Sequence, residues 1–470
     1  MFLSLVLLGL CICFIILHLT PRRPKNFPPG PPVLPILGNI LHLNLKNPLE
    51  DFEKLRKSYG NVYSLFLGPR PSVVINGVKA MKEAMRPGKT VPRFTAQSGG
   101  KRFCTLCNIV LEHRRKSAVL QMFLQWKQLT DCDVLCSCTM LFCAIVSNIS
   151  FTGKTLTPQI MFHNVASNIM CQVVFGTRYE YDDEFITTIV QSAIEITKAA
   201  NGPWTTLYSS FPWIRKLPLP FNKSFKAVKR CSDLVLQSLN EHKKTRVPGE
   251  PRDFLDSEDS TFSEDKLIFT AIDLMIAGTD TTSNTLLTAF LYLINHPHIQ
   301  ERCQQEIDRV LEGKDQVCFD DRHQMPYVQA VIHEVQRIAN TVPLSVFHCT
   351  TKDTELAGYS IPKGTRIIQN LTTVLKEEGQ WKYPHEFNPG NFLNDQGEFV
   401  KPDAFMPFSA GPRVCLGEGL ARMELFLIMV TLLRKFKFIW PEDTGEPDYT
   451  PVFGITMTPK PYPMKVQHRL

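Results

Sequence analysis

FSAGPRVCLGEGL, residues 408–420, is the stretch on which the reading of this chain turns. A cysteine that serves packing sits on an apolar face. Cys415 stands instead in a turn of glycines and a proline, immediately ahead of a helical run at 416–432. A thiolate at a helix N-terminus is favoured by the dipole and by free backbone N–H groups. Gly411 and Gly417 let the backbone pass close to a bulky planar ligand. Arg413 offers a guanidinium to an anionic group on such a ligand, and Phe408 offers a ring to shield the sulfur. Zinc suits the turn less well, because no second ligand lies within a few residues.

Two other patterns join this one. AGTDTT, residues 277–282, interrupts a long apolar helical run at 266–296. A glycine there costs about 1 kcal/mol of helix propensity. Asp280, Thr281 and Thr282 are expensive if buried without partners. Together they predict a local opening of the helix lined by proton-relaying groups. In HEVQR, residues 333–337, Glu334 and Arg337 stand three apart on one helix face. Alone that pair says little, since surface pairs of this kind are common.

The chain has 470 residues, 44% of them apolar and 21% charged, the make-up of a globular protein with a large core. Its formal charge of +7 comes without a lysine or arginine run that would suit nucleic acid. Residues 2–19, FLSLVLLGLCICFIILHL, are apolar with no formal charge apart from whatever His18 carries, and TPRRPK follows in place of a small-residue cleavage site. This predicts an uncleaved membrane anchor at 1–20, with Arg22, Arg23 and Lys25 keeping the body on the cytosolic side. The 14 cysteines are then mostly reduced. Prolines at 28, 29, 31, 32 and 35 predict a stiff, basic, proline-rich hinge over 21–39. Short strands at NVYSLFLG and PSVVING, helices near 298–312 and 326–339, and a largely helical middle make 40–470 one large unit, mainly α with a minor β part.

The pattern Phe408, Gly411, Arg413, Cys415, Gly417, taken with Glu334–Arg337 and with Ala277–Thr282, resembles the cytochrome P-450 family of haem-thiolate monooxygenases. PFSAGPRVCLGEGLARMELFL and TVPLSVFHCTTKDTELAGYSIPKGT resemble its vertebrate microsomal family-two members. The resemblance implies the cytochrome P-450 fold, haem b, and Cys415 as the axial thiolate to the haem iron, the metal site of the chain. It implies that Thr281 and Asp280 deliver protons during oxygen reduction, and that Arg413 and His348 hold haem propionates. Glu334 and Arg337 would form a buried structural pair joined by Asn391 of FNPGNF. The activity implied is insertion of one oxygen atom from O2 into a lipophilic small molecule (a xenobiotic, fatty acid or steroid). Electrons would come from NADPH through a membrane-bound flavoprotein reductase, with cytochrome b5 as a further partner, at the endoplasmic reticulum membrane with the catalytic domain facing the cytosol. No nucleic-acid partner is implied.

Residues 86–156 depart from the family pattern. NIVLEHRRKSAVLQMF keeps Arg114, the candidate propionate contact of that stretch, but Val110 stands where the family has tryptophan. The stretch also holds six cysteines, Cys104, Cys107, Cys132, Cys136, Cys138 and Cys143, which leaves a zinc site open as a weaker reading. MLFCAIVSNI within it is too short to cross a bilayer. Asp273, two turns before Asp280, either bonds nearby backbone or pairs with a basic substrate. The alternative to an active monooxygenase is a catalytically inactive or haem-deficient variant of the same fold. An isomerase-type haem-thiolate enzyme, for which the Asp280–Thr281 relay would be dispensable, is the third reading.

Overall fold

The computed structural model describes residues 22–85 and 132–469, apart from Lys154 and parts of 201–221 and 248–262. Arg114, the expected anchor at 1–20 and most of the atypical stretch lie outside these residues. Among the described residues no helix is long and apolar enough to cross a membrane.

In chain order the helices are α1 (Leu49–Tyr59), α2 (Val78–Ala84), α3 (Cys132–Thr152), α4 (Gln159–Phe175), α5 (Glu184–Ala200), α6 (Asn222–Thr245), α7 (Glu264–Asn295), α8 (Pro297–Val310), α9 (Pro326–Ala339), α10 (Leu371–Leu375) and α11 (Glu418–Lys435). The strands are β1 (Val62–Leu67), β2 (Arg70–Asn76), β3 (His348–Cys349), β4 (Thr354–Leu356), β5 (Tyr359–Ile361), β6 (Arg366–Asn370), β7 (Phe436–Ile439) and β8 (Lys465–His468). The main sheet runs β1-β2-β6-β3, with β2 and β6 parallel and the outer pairs antiparallel. β4–β5 and β7–β8 are separate antiparallel pairs.

α7 is the axis of the helical layer. It packs most heavily on α4 and also against α5, α6, α8, α9 and α11. Toward its C-terminus the helix is mostly apolar (Leu286, Leu287, Phe290 and Leu293 are buried), as a helix packed on several sides must be. Phe162 of α4 stacks on Phe290 at 5.1 Å, and Phe438 of β7 meets the same ring at 4.6 Å. α8 and α9 each begin with proline, where the missing N–H costs nothing.

Two segments are placed by their packing against the rest of the chain. Residues 22–39 lie against the sheet: Ser64 of β1 donates through its N–H to the Pro29 carbonyl at 2.7 Å and through its Oγ to that of Pro28 at 2.7 Å. A side chain at Gly30 would meet the Ser64 carbonyl oxygen at 2.0 Å, so only glycine allows this docking. In the atypical stretch, α3 buries Cys138, Phe142, Cys143 and Val146 in the main core. Cys138 and Cys143 thus serve as apolar packing, and burial pushes the Cys143 thiol up to about 11.

Candidate active site

The cysteine turn is built from both of its ends. A 3-10 turn at Gly411–Arg413 precedes Cys415, and α11 starts at Glu418, two residues later than the sequence pattern suggests. The Cys415 N–H donates to the Phe408 carbonyl at 2.9 Å and that of Val414 to Gly411 at 3.1 Å. Cys415 is exposed. No atom lies within 4 Å of where a side chain at Gly417 would stand. Val414, Leu416 and Leu420 are only partly buried, so the turn opens onto apolar, uncovered space. Gly411 has a different reason to be glycine from the one its motif suggests. Its φ is +71°, and a side chain there would strike the Met85 carbonyl oxygen at 2.2 Å.

Beside the turn, Ser409 also adopts a positive φ, and its Oγ donates to Gln369 Oε1 of β6 at 2.6 Å. Gln369 Nε2 in turn lies 3.0 Å from His348 Nδ1. The turn is therefore latched to the sheet through a side chain that no motif singled out. Burial pulls the His348 imidazole down to about 4; its bond to the Val346 carbonyl opposes this and the nearby Arg413 charge adds to it. The fold thus brings His348 within electrostatic reach of Arg413, from segments far apart in sequence. On the other side, Arg422 of α11 sits 5.3 Å from the Phe408 ring and donates to His333 Nε2 at 2.6 Å. Burial, reinforced by Arg422, drives His333 down to about 3, which leaves Nε2 free to accept.

α7 runs unbroken through AGTDTT. Ala277 is exposed and Leu274, Gly278 and Thr281 are partly so, although their neighbours on the helix are buried. These four positions share one helix face, an open strip in the middle of the helix whose flanking positions are buried. Thr281 Oγ1 donates to the Ala277 carbonyl at 2.6 Å. Gly278 does not create the opening: Met170 of α4 fills the space, with its sulfur 2.2 Å from where a side chain would begin. Asp280 points to another face. It is 5% exposed, accepts a hydrogen bond from the Thr456 hydroxyl, and lies 3.5 Å from His163 Nε2 of α4. The structure thus separates the Asp280 carboxylate from the Thr281 hydroxyl, and joins it to two residues that sequence reading missed. Asp273 is also buried on α7. Thr282 Oγ1 donates to Glu424 Oε2 of α11 at 2.9 Å, tying the two helices behind the strip. Burial pushes the Glu424 carboxyl up to about 8, with the Thr282 bond opposing it.

Glu334 and Arg337 of α9 form a bidentate pair at 2.7 and 2.8 Å, both fully buried. The remaining Arg337 donors reach the carbonyls of Leu375, Tyr383, Pro384 and Glu386. Asn391 Nδ2 donates to Glu334 at 3.2 and 3.3 Å and to the Tyr383 carbonyl at 3.0 Å. The Asn388 N–H adds a bond to Glu334 at 2.8 Å. This knot holds the chain that leads to the cysteine turn.

The residues present suit a haem. They supply an exposed thiol, clear space in front of Gly417, uncovered apolar side chains around the turn, and an imidazole and a guanidinium within electrostatic reach of one another. The Cytochrome P450 family model matches residues 28–466. Mouse (Mus musculus) Cytochrome P450 2F2 is 37% identical over 459 residues, covering 93% of this chain and 93% of its own. Rabbit (Oryctolagus cuniculus) Cytochrome P450 2C3 is 36% identical over 487 residues, covering 97% and 98%. Human (Homo sapiens) Cytochrome P450 2J2 is 37% identical over 470 residues, covering 96% and 91%. The chain belongs to the cytochrome P450 family: it is an oxidoreductase of the haem b monooxygenases.

Proposed function

We propose that this protein is an endoplasmic reticulum enzyme, anchored by residues 1–20 and facing the cytosol, that oxygenates a lipophilic xenobiotic, fatty acid or steroid. NADPH supplies electrons through a membrane-bound flavoprotein reductase, and cytochrome b5 is the secondary partner. Bound at Cys415, haem supplies the chemistry of dioxygen activation, and the electron-rich thiolate ligand favours O–O cleavage.

The chain's own residues do the rest. The Phe408 carbonyl holds the Cys415 N–H and so fixes the direction of the thiol. Arg413 and His348 bind the propionates, with Arg114 as a third contact. Phe408 shields the sulfur and Gly417 leaves the ligand its room. Thr281 presents its hydroxyl on the open strip of α7, and Asp280 brings protons to it. The wall of that strip (Leu274 and Ala277) is apolar, which suits a lipophilic substrate.

The observation that carries this reading is the exposed Cys415, held by the backbone in a turn just ahead of α11, the helix that the Thr282–Glu424 bond ties to α7. The test is the absorption spectrum of the reduced, membrane-expressed protein under carbon monoxide. A thiolate-type Soret band, lost in Cys415→Ser, is expected. Absence of haem, or a band of the neutral-ligand type in the unmodified chain, overturns the reading.

A further inference from the structure

The interface between α4 and α7 carries a polar stripe within an otherwise apolar layer. On α4, Gln159, His163 and Ser167 follow at four-residue spacing, so they share one face. On α7, Thr279, Asp280, Ser283 and Asn284 are all buried. Ser167 Oγ donates to Thr279 Oγ1 at 3.1 Å, and His163 Nε2 lies 3.5 Å from Asp280 Oδ1. Burying this much polarity beside the main core has a cost that apolar side chains would avoid.

The hydrogen bonds constrain where a proton resides. His163 Nδ1 is 2.8 Å from the Gln159 carbonyl, which accepts only, so Nδ1 carries a hydrogen. His163 Nε2 then faces the Asp280 carboxyl at 3.5 Å, the approach of an imidazole that can exchange a proton with an acid. Among the described residues Asp280 is the charged group within ion-pair distance of His163. Thr456 Oγ1 donates to the other Asp280 oxygen and keeps Oδ1 turned toward His163.

Two orphaned groups flank this pair. Both amide atoms of the fully buried Asn284, one turn beyond Asp280 on the same face, lack a protein partner, as does Gln159 Oε1. A fully buried amide without partners calls for ordered water. Gln159 stands in the first turn of α4, next to exposed Ile160, and its amide reaches the Lys460 carbonyl at 3.4 Å at the protein rim.

We infer that His163 is a positioning residue that restores the proton of Asp280 from solvent at the Gln159 end of α4, with water at Asn284 as part of the path. The inference rests on the proposed reading of Asp280 as proton donor to the Thr281 side. The carboxyl hands its proton across α7 by side-chain rotation. Back on the α4 side it takes the Nε2 proton of His163, and His163 regains one through water. Protons therefore arrive on the side of the helix away from the substrate, which keeps water out of the apolar strip.

The test uses the full chain reconstituted with its reductase and no added substrate, so no substrate need be known. Dioxygen then leaves as peroxide (one NADPH) or as water (two NADPH and two further protons). His163→Gln keeps a hydrogen-bonding side chain and cannot shuttle a proton. It is expected to raise the peroxide share of NADPH consumption by roughly twofold or more, with an unchanged carbon monoxide spectrum and an altered solvent deuterium isotope effect. Asn284→Leu should move both readouts in the same direction and less far. Independently of haem, the side-chain 15N signals of His163, identified by their loss in His163→Gln, should shift in Asp280→Asn. An unchanged peroxide share in His163→Gln with the thiolate band intact, or His163 signals indifferent to Asp280→Asn, overturns the inference. Absence of the thiolate band in the unmodified chain instead overturns the proposed function and leaves the nitrogen signals to decide on the pair.

Discussion

The knot around Arg337 and the stripe on α7 are two answers to the same difficulty, a charged group deep in a helical layer. In the knot, the donors of Arg337 reach a carboxylate or a carbonyl, and Glu334 has further bonds from Asn388 and Asn391. Around α7, Asp280 holds loosely to His163, Asn284 has no protein partner, and Glu424 Oε1 is likewise unmatched. A fully satisfied network holds one arrangement rigidly, whereas a partly satisfied one leaves room for water, for proton movement or for a ligand. The first region is built to hold one arrangement, and the second leaves the room that the proposed proton path uses.

The largest effect that separates them is expected for Arg337→Ala. It leaves Glu334 buried without its counter-ion, and removal of one partner of a buried pair costs roughly 3–5 kcal/mol. Equilibrium denaturation in urea measures this. A loss below about 1 kcal/mol would place the knot with ordinary surface pairs and break the comparison.

Glu424→Gln tests the other region through pH. The folded carboxyl titrates near 8, far above its ordinary value. Its contribution to stability is full at acid pH, below the unfolded carboxyl's value. It falls as pH rises and the unfolded chain ionises while the folded one keeps its proton, by at most about 1.4 kcal/mol per pH unit. The loss is complete once pH passes the folded value of about 8. The glutamine variant lacks this slope, so its melting temperature should exceed that of the unmodified protein at pH 8.5 and approach it near pH 5. Parallel melting curves across that range would show Glu424 to be ionised in the fold.

The smallest effect is expected at Gly278→Ala. The new methyl group meets Met170, which costs about 1–3 kcal/mol as overpacking. Alanine returns about 1 kcal/mol of helix propensity. A net loss of roughly 0–2 kcal/mol should disappear when Met170→Ala is added, and a double-mutant cycle reads that coupling. Additive losses would mean that Gly278 serves something other than the α4 contact.

Much of this could be read beforehand. The helix at 326–339 and the strands near 62–67 and 70–76 follow from periodicity and their proline or glycine bounds, which are local signals. Glu334 and Arg337 were legible as a pair, but not the four carbonyls that complete Arg337, because these come from the end of α10 and the loop after it, where backbone rather than side chains does the binding. In the sequence Gly411 suggests room for a ligand and Gly278 an opening of the helix, and each turns out to make room for another part of the chain. His163 gave one faint sign, a lone histidine four residues from both Gln159 and Ser167 on an apolar helix, and that spacing does not name a partner more than one hundred residues away.

The sequence by itself determined the family and the order of elements, because the turn around Cys415, the pair at 334 and 337, and the apolar run of α7 are patterns of neighbouring residues. Only the tertiary structure decided that Asp280 faces His163 and Thr456 while Thr281 faces the open strip. Residues adjacent in sequence lie about 100° apart around a helix, so which neighbours each one meets is settled by what packs against that face.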